Sequence, residues 1–361
     1  MALFKKLDLY ILRKFLGTFF LAIGLIMLIV IVFDISEKIE DFIDHHAPVG
    51  AIIFDYYLNF IPYFANLFSP LFCFISVIYF TSRMAYRTEI VAILSSGVSF
   101  NRLLFPYVIG ACIIAGGSFY LNHYIIPHAN KHRQLFENAY VHNPYQNQES
   151  NIHREVAKGT TIYFSNYNNM QNIGYLFSMD KFMNGERYYH LRSDYIQWDS
   201  LKGKWVIYNY FIRLIDGDKE YVRTGAQLDT ALSFVPADFS MRDEVVESMN
   251  KSELDAFIAS EKEKGSQSIP TYEVEKYKRT AFPFATIILT LIGVAIASRK
   301  VRGGIGLHLV LGIGLSFGYI VFLQIATTMS VKAGLPAIAA VWIPNVIFGA
   351  VALVLLRTAQ K

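Results

Sequence analysis

The side chains that could do chemistry in this sequence are few, and most are histidines near the ends of apolar stretches. His128 and His132 are spaced i, i+4 in "PHANKH", so both could reach one metal ion if that segment is helical. The segment directly follows an apolar stretch, which favours solvated interfacial histidines over a metal site. His45 and His46 are interpreted in the same way, as part of a loop. The sequence therefore predicts no metal centre.

Motifs for nucleotide binding and hydrolysis do not occur in the sequence. There is no GxxxxGKS or GxxxxGKT loop, no GxSxG, no HExxH and no paired-cysteine motif. The glycine-rich "RGGIGLHL" opens an apolar stretch and lacks the Lys-Ser/Thr pair of a phosphate-binding loop. We therefore predict that the chain is not an enzyme and carries no cofactor of its own.

Polar side chains inside the apolar stretches are also rare. A transporter driven by protons or ions needs buried carboxylates or histidines as a relay. The nearest candidates are Asp55, Asn59, Asn66, His308, Gln324 and Asn345. Gln324 is more typical of a contact between helices than of a relay. A self-powered transporter is therefore disfavoured, and any energy must come from outside this chain.

The elements that position these residues are long apolar stretches. Only 17% of the 361 residues are charged, and the mean hydropathy is +0.33. A membrane-spanning helix needs about 20 predominantly apolar residues. Six stretches are candidates: residues 13–33, 60–81, 103–126, 281–298, 305–329 and 337–356.

The distribution of Lys and Arg predicts the orientation of these spans. Basic residues cluster before the first span, in the 82–102 loop, after the fourth span and at the C-terminus. The loop after the first span is mostly acidic. Both termini and the 82–102 loop are therefore expected in the cytoplasm. The long segment between spans three and four is then exported.

These observations predict an α-helical membrane protein with six transmembrane helices and an inserted periplasmic antiparallel β-domain, which is either a sandwich or β-jellyroll-like. Residues 1–127 are expected to hold spans one to three, with a cytoplasmic helix near 82–100. Residues 128–280 are expected to form the exported domain with a following short helix, and residues 281–361 spans four to six. Both cysteines lie in spans, so no disulfide holds the exported domain.

The exported domain is predicted to consist mainly of strands. Its centre is rich in aromatic and β-branched residues, and Asn184-Gly185 and Asp216-Gly217 are typical hairpin turns. In "KWVIYNYFIRLI" the residues of both parities are apolar, although a strand with one wet face should alternate. Protein could cover both faces of this strand. Alternatively, one face, with Tyr208, Tyr210 and Ile212, lines an apolar groove for a ligand.

Two features of the fifth span indicate close approach to another helix. Gly314 and Gly318 form a GxxxG pattern, which lets helix backbones approach closely. Packing within the chain, a surface for a partner and flexibility at a gate all remain open. Phe317, Ile320 and Leu323 lie near one face of this helix, and Gln324 follows them. We predict that these four residues form a lateral gate.

Several stretches together resemble the LptF/LptG family of lipopolysaccharide export permeases, in order and in spacing. They are "LDLYILRKFLGTFF", "RTEIVAILSSGVS", "HYIIPHANKHRQ", "YKRTAFPFATIILTLIGVAIA" and "GGIGLHLVLGIGLSFGYIVFLQI". The resemblance covers nearly the whole chain. The first and last stretches look closer to the LptG branch.

The resemblance implies a permease subunit of an ABC transporter in the bacterial inner membrane. Such a subunit takes lipopolysaccharide from that membrane and passes it to a periplasmic bridge toward the outer membrane. The implied partners are a homologous LptF-like subunit, a cytoplasmic LptB-like ATPase dimer that holds the ATP, a single-span LptC-like jellyroll protein and an LptA-like bridge. Lipopolysaccharide and membrane lipids are the expected ligands, and no nucleic acid is expected.

The resemblance also assigns roles to two sets of residues. The 82–102 segment is implied to be a coupling helix that docks in a groove of the ATPase, through Arg83, Arg87, Glu89, Ile90 and Ile93. Relatives carry a basic cluster at the exported end of span one that holds lipid phosphates. In this sequence that stretch, "VFDISEKIEDFIDHH", is mostly acidic, and only Lys38 matches the cluster. Lys131 and Arg133 are expected to supplement it.

Two other functions remain open. The chain could be an ABC-type permease for another lipid or a lipoprotein, or a membrane-anchored adaptor that binds a partner through its β-domain. Co-purified lipid would distinguish transport from an adaptor role.

Overall fold

A computed structural model of the chain describes residues 6–141, 150–183, 185–217, 219–239, 243–266, 268–299 and 304–359. The chain divides into two compact units. A helical unit takes in the residues up to 141, residues 247–251 and the residues from 273 onward. A β unit takes in residues 142–246 and 252–272. Residues 128–141, expected in the exported domain, thus belong to the helical unit.

Among the described residues, six helical segments are long and apolar enough to cross a membrane, and they confirm the six predicted spans. In chain order the helices are α1 (Lys6–Asp44), α2 (Val49–Ala51), a π-helical turn (Ile52–Tyr57), α3 (Leu58–Tyr86), α4 (Glu89–Ser95), α5 (Phe100–Tyr120), a second π-helical turn (Leu121–Ile125), α6 (Ile126–Tyr140), α7 (Lys251–Glu263), α8 (Ile269–Ala297), α9 (Gly304–Ala333) and α10 (Ala337–Thr358). Short 3-10 helices cover Pro236–Phe239 and Asp243–Ser248.

Small residues and buried polar pairs set the packing between these helices. A Cβ at Gly312 of α9 would collide with the Ile78 side chain of α3, so glycine permits this close approach. Buried Ser82 of α3 and His308 of α9 share a hydrogen bond of 2.8 Å. By contrast, no atom of the described residues lies within 4 Å of a Cβ built at Gly314 or Gly318. The GxxxG face is therefore not packed against another helix of this chain in the described part of the structure.

The β unit is an antiparallel sheet, which confirms the predicted inserted β-domain. Its strands are β1 (Ser150–Ala157), β2 (Thr160–Asn168), β3 (Ile173–Tyr175), β4 (Ser178–Met183), β5 (Glu186–Arg192), β6 (Tyr195–Asp199), β7 (Lys204–Asp216) and β8 (Lys219–Thr230). The β7–β8 hairpin turns at Gly217, which has a φ of 58°. The other predicted hairpin turn includes Asn184, which lies outside the described residues.

The hydrogen-bond register shows that these strands occupy six neighbouring positions in the sheet, because two of the positions are each shared by two strands that follow one another end to end. β3 and β4 both pair with β2 in one register, in which Tyr175 pairs with Asn166 and Ser178 with Tyr163. β5 and β6 pair in the same manner with β7. The two interruptions lie side by side, and the Leu176 N–H donates a 2.7 Å hydrogen bond to the Asp194 carbonyl. The sheet is therefore a meander in the order β1, β2, β3/β4, β5/β6, β7, β8.

The sheet curls tightly around an aromatic core. The rings of Tyr167 in β2 and Trp205 in β7 lie 6.5 Å apart, although two positions in the sheet separate their strands. Neighbouring strands in a flat sheet lie about 4.8 Å apart, so a flat sheet would hold these strands roughly 14 Å apart. Phe234, which follows β8, fills the interior, with its ring 5.3 Å from that of Trp205. The indole N–H of Trp205 also donates to the Phe234 carbonyl at 2.8 Å.

Candidate functional site

The predicted gate residues line one cavity of the helical unit. Phe317, Ile320, Leu323 and Gln324 of α9 face it together with residues of α3 and α8. Its volume is about 470 Å³. We call it the α3–α8–α9 cavity. Its other lining residues are Tyr63, Asn66, Leu67, Phe68, Pro70, Leu71, Asn122, Ile126, Glu247, Glu275, Lys278, Arg279, Phe282, Leu289, Ser316 and Tyr319. The structure thus brings all four predicted gate residues to one site.

The polar residues of this cavity lie toward one end, where α8 begins and α3 is close to its N-terminus. Glu275 and Arg279 form an ion pair of 3.1 Å, and the Arg279 guanidinium also donates to the Met249 carbonyl at 2.7 Å. Glu247 accepts a hydrogen bond of 3.4 Å from the Tyr63 hydroxyl. Along α8 the charged residues precede Phe282 and Leu289. The cavity is therefore charged at this end, which we call its mouth, and mainly apolar along the rest of its length.

Two asparagines interrupt the apolar wall just below this mouth. The Asn66 amide donates to Asn122 Oδ1 at 2.8 Å, and the Asn122 amide donates to the Arg279 carbonyl at 3.5 Å. Asn122 lies in a π-helical turn, a distortion frequent at functional sites. The sequence identifies Asn66 as a possible relay residue but assigns no role to Asn122, Tyr63, Glu247 or Arg279. The charged stretch "YEVEKYKRT" at the start of span four is the sequence feature that could have indicated a polar site here.

The predicted coupling segment contains the short helix α4, and the structure places its residues on two faces. Ile90 is buried in the core formed with α1 and α5, and Ile93 packs against that core. Arg83 and Arg87 are exposed, as is Val91. The prediction that Ile90 docks into a partner is thus corrected, because the apolar face of so short a helix covers the chain's own bundle. Ile93 is only half-buried, and its docking stays a prediction.

Glu89 at the start of α4 is held by the first helix. Its Oε2 accepts a hydrogen bond of 2.9 Å from the Tyr10 hydroxyl and lies 3.7 Å from Lys14 Nζ. A second contact also joins this segment to α1. The Arg102 guanidinium donates hydrogen bonds of 2.7 and 2.5 Å to the two carboxylate oxygens of buried Asp8. The 82–102 segment is therefore fixed to α1 by charged side chains at two points, Glu89 and Arg102.

The predicted phosphate-binding cations are not equivalent. Lys38 Nζ lies 2.9 Å from Asp34 Oδ1 and 3.8 Å from Glu137 Oε1, in a largely buried network that includes Tyr56. Two carboxylates therefore surround the one cation that matched the resemblance. Its charge is already compensated by Asp34 and Glu137, and its role as a phosphate ligand stays a prediction.

Lys131 and Arg133 lie on α6. Lys131 is exposed. The Arg133 guanidinium is largely buried, lies 4.9 Å from the ring centre of Tyr63 and is 4.0 Å from Glu247 Oε2. Since Tyr63 and Glu247 line the α3–α8–α9 cavity, Arg133 adjoins its mouth rather than the Lys38 network.

The residues predicted to line a groove in β7 are divided between two faces of the sheet. Asn209 has a φ of 51°, which shifts the alternation of β7 by one residue. Trp205 and Ile207 before it, and Tyr210 after it, are therefore all in the core, and Ile212 packs against them. Tyr208 stacks instead on Tyr195, with ring centres 4.6 Å apart. The structure thus corrects the grouping of Tyr208 with Tyr210 and Ile212.

The histidine pairs have no metal-site geometry in the described part of the chain, where no three His, Cys, Asp or Glu side chains group as ligands.

The family model described as lipopolysaccharide export system permease LptF/LptG matches residues 9–358. The match spans both units and all six membrane helices. It does not separate the LptF from the LptG branch. No curated protein matches the chain.

Proposed function

This chain belongs to the LptF/LptG family of lipopolysaccharide export permeases, and from that membership we propose that it is a permease subunit that loads lipopolysaccharide from the bacterial inner membrane. Both termini face the cytoplasm and the β unit faces the periplasm, which agrees with the distribution of Lys and Arg.

One observation carries this proposal: the four gate residues of α9 line a cavity that is charged at its mouth and apolar below it. An amphiphile has the same order of polarity. Phe317 and Ile320 are also about half exposed, so the same face is accessible from the side of the bundle. We infer that acyl chains enter laterally between α9 and α1 of a homologous LptF-like or LptG-like subunit.

Lateral loading follows from the energetics of acyl chains. Each buried CH₂ contributes about 0.8 kcal/mol, so exposing several chains to water costs tens of kcal/mol. A path from above, through the aqueous phase, would incur that cost. A path through an apolar helix face exchanges one apolar surface for another, and each step then needs only a small free energy.

The energy for extraction is proposed to come from a cytoplasmic LptB-like ATPase dimer. The chain itself has no nucleotide-binding motif. The 82–102 segment offers exposed Arg83, Arg87 and Val91, and its short helix is tied to α1 through Glu89. A movement imposed on this segment would therefore be transmitted to α1, the helix that we infer forms the equivalent gate with the fifth span of the homologous subunit.

The β unit is proposed to receive the lipid and pass it to an LptC-like jellyroll protein and then to an LptA-like bridge. The interior of its curled sheet is apolar and aromatic, with Trp205, Tyr210 and Phe234 among its residues. This interior provides the same type of surface as the cavity in the helical unit. Transfer between two such surfaces keeps the change in hydration small.

A photo-crosslinking experiment tests the proposal. A photoreactive amino acid at Ile320 should capture lipopolysaccharide in membranes that contain the partner subunits. The matched control is Ile347 of α10, which has the same residue type and nearly the same exposed fraction, 45% against 44%. Capture of phospholipid alone at Ile320 would indicate transport of another lipid. Equal capture at both positions would reject a lipid-loading role for the α9 face.

A further inference from the structure

The lining of the α3–α8–α9 cavity changes in polarity twice along its length. At the mouth lie Glu247, Glu275, Lys278 and Arg279. Asn66 lies one helical turn farther along α3 than Tyr63, the residue whose hydroxyl contacts Glu247 at the mouth. Below Asn66 the wall is formed by apolar residues such as Leu67, Leu71 and Leu289. The cavity thus has a charged level, a neutral polar level and an apolar level.

The hydrogen bonds at the neutral level leave one acceptor without a partner. The Arg279 carbonyl can only accept, so it fixes the Asn122 amide nitrogen toward itself. Asn122 Oδ1 then faces Asn66 and accepts from its amide nitrogen at 2.8 Å. Both amides are oriented by this chain of bonds. Asn66 Oδ1 is consequently left over, and it is buried with no hydrogen-bond partner among the described residues.

An unpartnered carbonyl oxygen at this depth is costly. Asn66 is only 5% exposed, and a buried acceptor left without a partner costs about 1–3 kcal/mol. A ligand that places a donor beside Asn66 Oδ1 recovers this free energy, whereas a plain hydrocarbon chain does not. The residue therefore discriminates between ligands by the presence of a donor near the head of the chain.

We propose that the α3–α8–α9 cavity binds an acyl chain that carries a hydroxyl or amide N–H donor close to an anionic head group, and that Asn66 selects for this donor. We expect an anionic head group because Lys278 lines the cavity and has no ion-pair partner among the described residues, so its positive charge can bind an anion. Arg279, by contrast, is paired with Glu275. The inference rests on the proposed function in so far as the cavity takes lipid, and it adds which acyl chains the cavity prefers.

Two fatty acids that differ by one hydroxyl group test the proposal. The purified full-length chain in detergent is titrated with β-hydroxymyristic acid and with myristic acid, and the bound species are measured by native mass spectrometry. We expect the hydroxylated acid to bind about five- to tenfold more tightly, the range for one net hydrogen bond. In the Asn66→Leu variant this ratio should fall by about five- to tenfold, because that hydrogen bond is lost. Comparing this ratio between the unmodified chain and the variant cancels the difference in how the two acids partition into detergent.

Two further variants keep the outcome interpretable. Asn122→Ala removes the group that orients Asn66 and should also reduce the ratio, even if Asn66→Leu folds poorly. Lys278→Ala should weaken both acids by a similar factor and leave the ratio unchanged. A ratio that Asn66→Leu and Asn122→Ala both leave unchanged would overturn the inference. That result leaves the crosslinking test of the proposed function unaffected, because that test depends on lipopolysaccharide capture at Ile320.

Discussion

The Tyr10 hydroxyl donates a hydrogen bond of 2.9 Å to the carboxylate of Glu89, 79 positions farther along the chain. This bond connects α1, the first span, with α4, the helix proposed to contact the ATPase. Lys14 adds an ion pair to the same carboxylate, at 3.7 Å. Glu89 therefore fixes α4 to α1, in addition to its proposed contact with a partner.

The first prediction separates these two roles of Glu89. Glu89→Lys places a cation beside Lys14 and removes the acceptor of Tyr10, so both partner pairing and the tie to α1 should be lost. Tyr10→Phe removes only one hydrogen bond of the tie. We expect Glu89→Lys to abolish co-purification of the ATPase or its stimulation. Tyr10→Phe should keep the ATPase bound but reduce lipid-stimulated hydrolysis several-fold.

An exposed acid elsewhere in the chain provides the control for this pair. Glu186 lies at the exposed start of β5, and Glu186→Lys makes the same change in charge without touching α1 or α4. Normal hydrolysis rates in both Glu89→Lys and Tyr10→Phe would show that neither the contact nor the tie matters for coupling.

The second prediction concerns the stability provided by Lys38. Lys38→Met would leave the largely buried Asp34 and Glu137 without their shared cation. Removing one partner of a buried ion pair costs about 3–5 kcal/mol, so the unfolding temperature in detergent should fall markedly. The double variant Lys38→Met with Asp34→Asn should recover part of the loss. If Lys38→Met keeps its full stability and loses only lipid binding, the lysine is a phosphate ligand after all.

The spans and the β-domain could be predicted from the sequence because they depend on averages over many residues. Twenty apolar residues need a membrane whatever their neighbours are. The direction of a single side chain depends on one backbone conformation, and the sequence did not reveal the positive φ of Asn209. It also did not show that Ile90 faces the chain's own core, because an apolar helix face fits a partner and a bundle equally well. The Asn66–Asn122 pair joins residues 56 positions apart and needed the packing of α3 against the second π-helical turn.

The third prediction tests the backbone conformation of Asn209. Asparagine tolerates the left-handed region, and a β-branched residue does not. Asn209→Val should therefore destabilise the β unit by about 1–3 kcal/mol, measured by thermal unfolding of the full chain. Asn209→Gly also removes the 2.8 Å hydrogen bond from the Asn209 amide to Asp194, but it keeps the φ accessible. It should cost clearly less than Asn209→Val, and equal losses would assign the effect to the hydrogen bond.

The fourth prediction uses the same shift in alternation to locate the lipid path in the β unit. If lipid passes through the interior of the curled sheet, photo-crosslinkers at Ile207 and Tyr210 should capture it. Those at Tyr208 and Phe211 should not, because these side chains lie on the other face. Capture at Tyr208 and Phe211 instead would place the path on the outer face. Capture at none of the four would mean that both faces of β7 are simply covered by protein.

The fifth prediction concerns the gate between α9 and the first helix of the partner subunit. Phe317 and Ile320 line the α3–α8–α9 cavity and are half exposed, and Gly314 and Gly318 leave open space beside them. A neighbouring helix can therefore approach α9 closely at this level. A disulfide from Ile320→Cys to a cysteine in the partner's first helix should hold that approach closed. Cys112 is exposed and must first be replaced by serine, whereas Cys73 is buried. We expect the oxidised complex to retain its ATPase but to load no lipopolysaccharide, and reduction of the disulfide should restore loading.

An Ile347→Cys complex treated in the same way should load normally, because α10 lies outside the gate. Full loading in the oxidised Ile320→Cys complex would move the point of lipid access to another pair of helices.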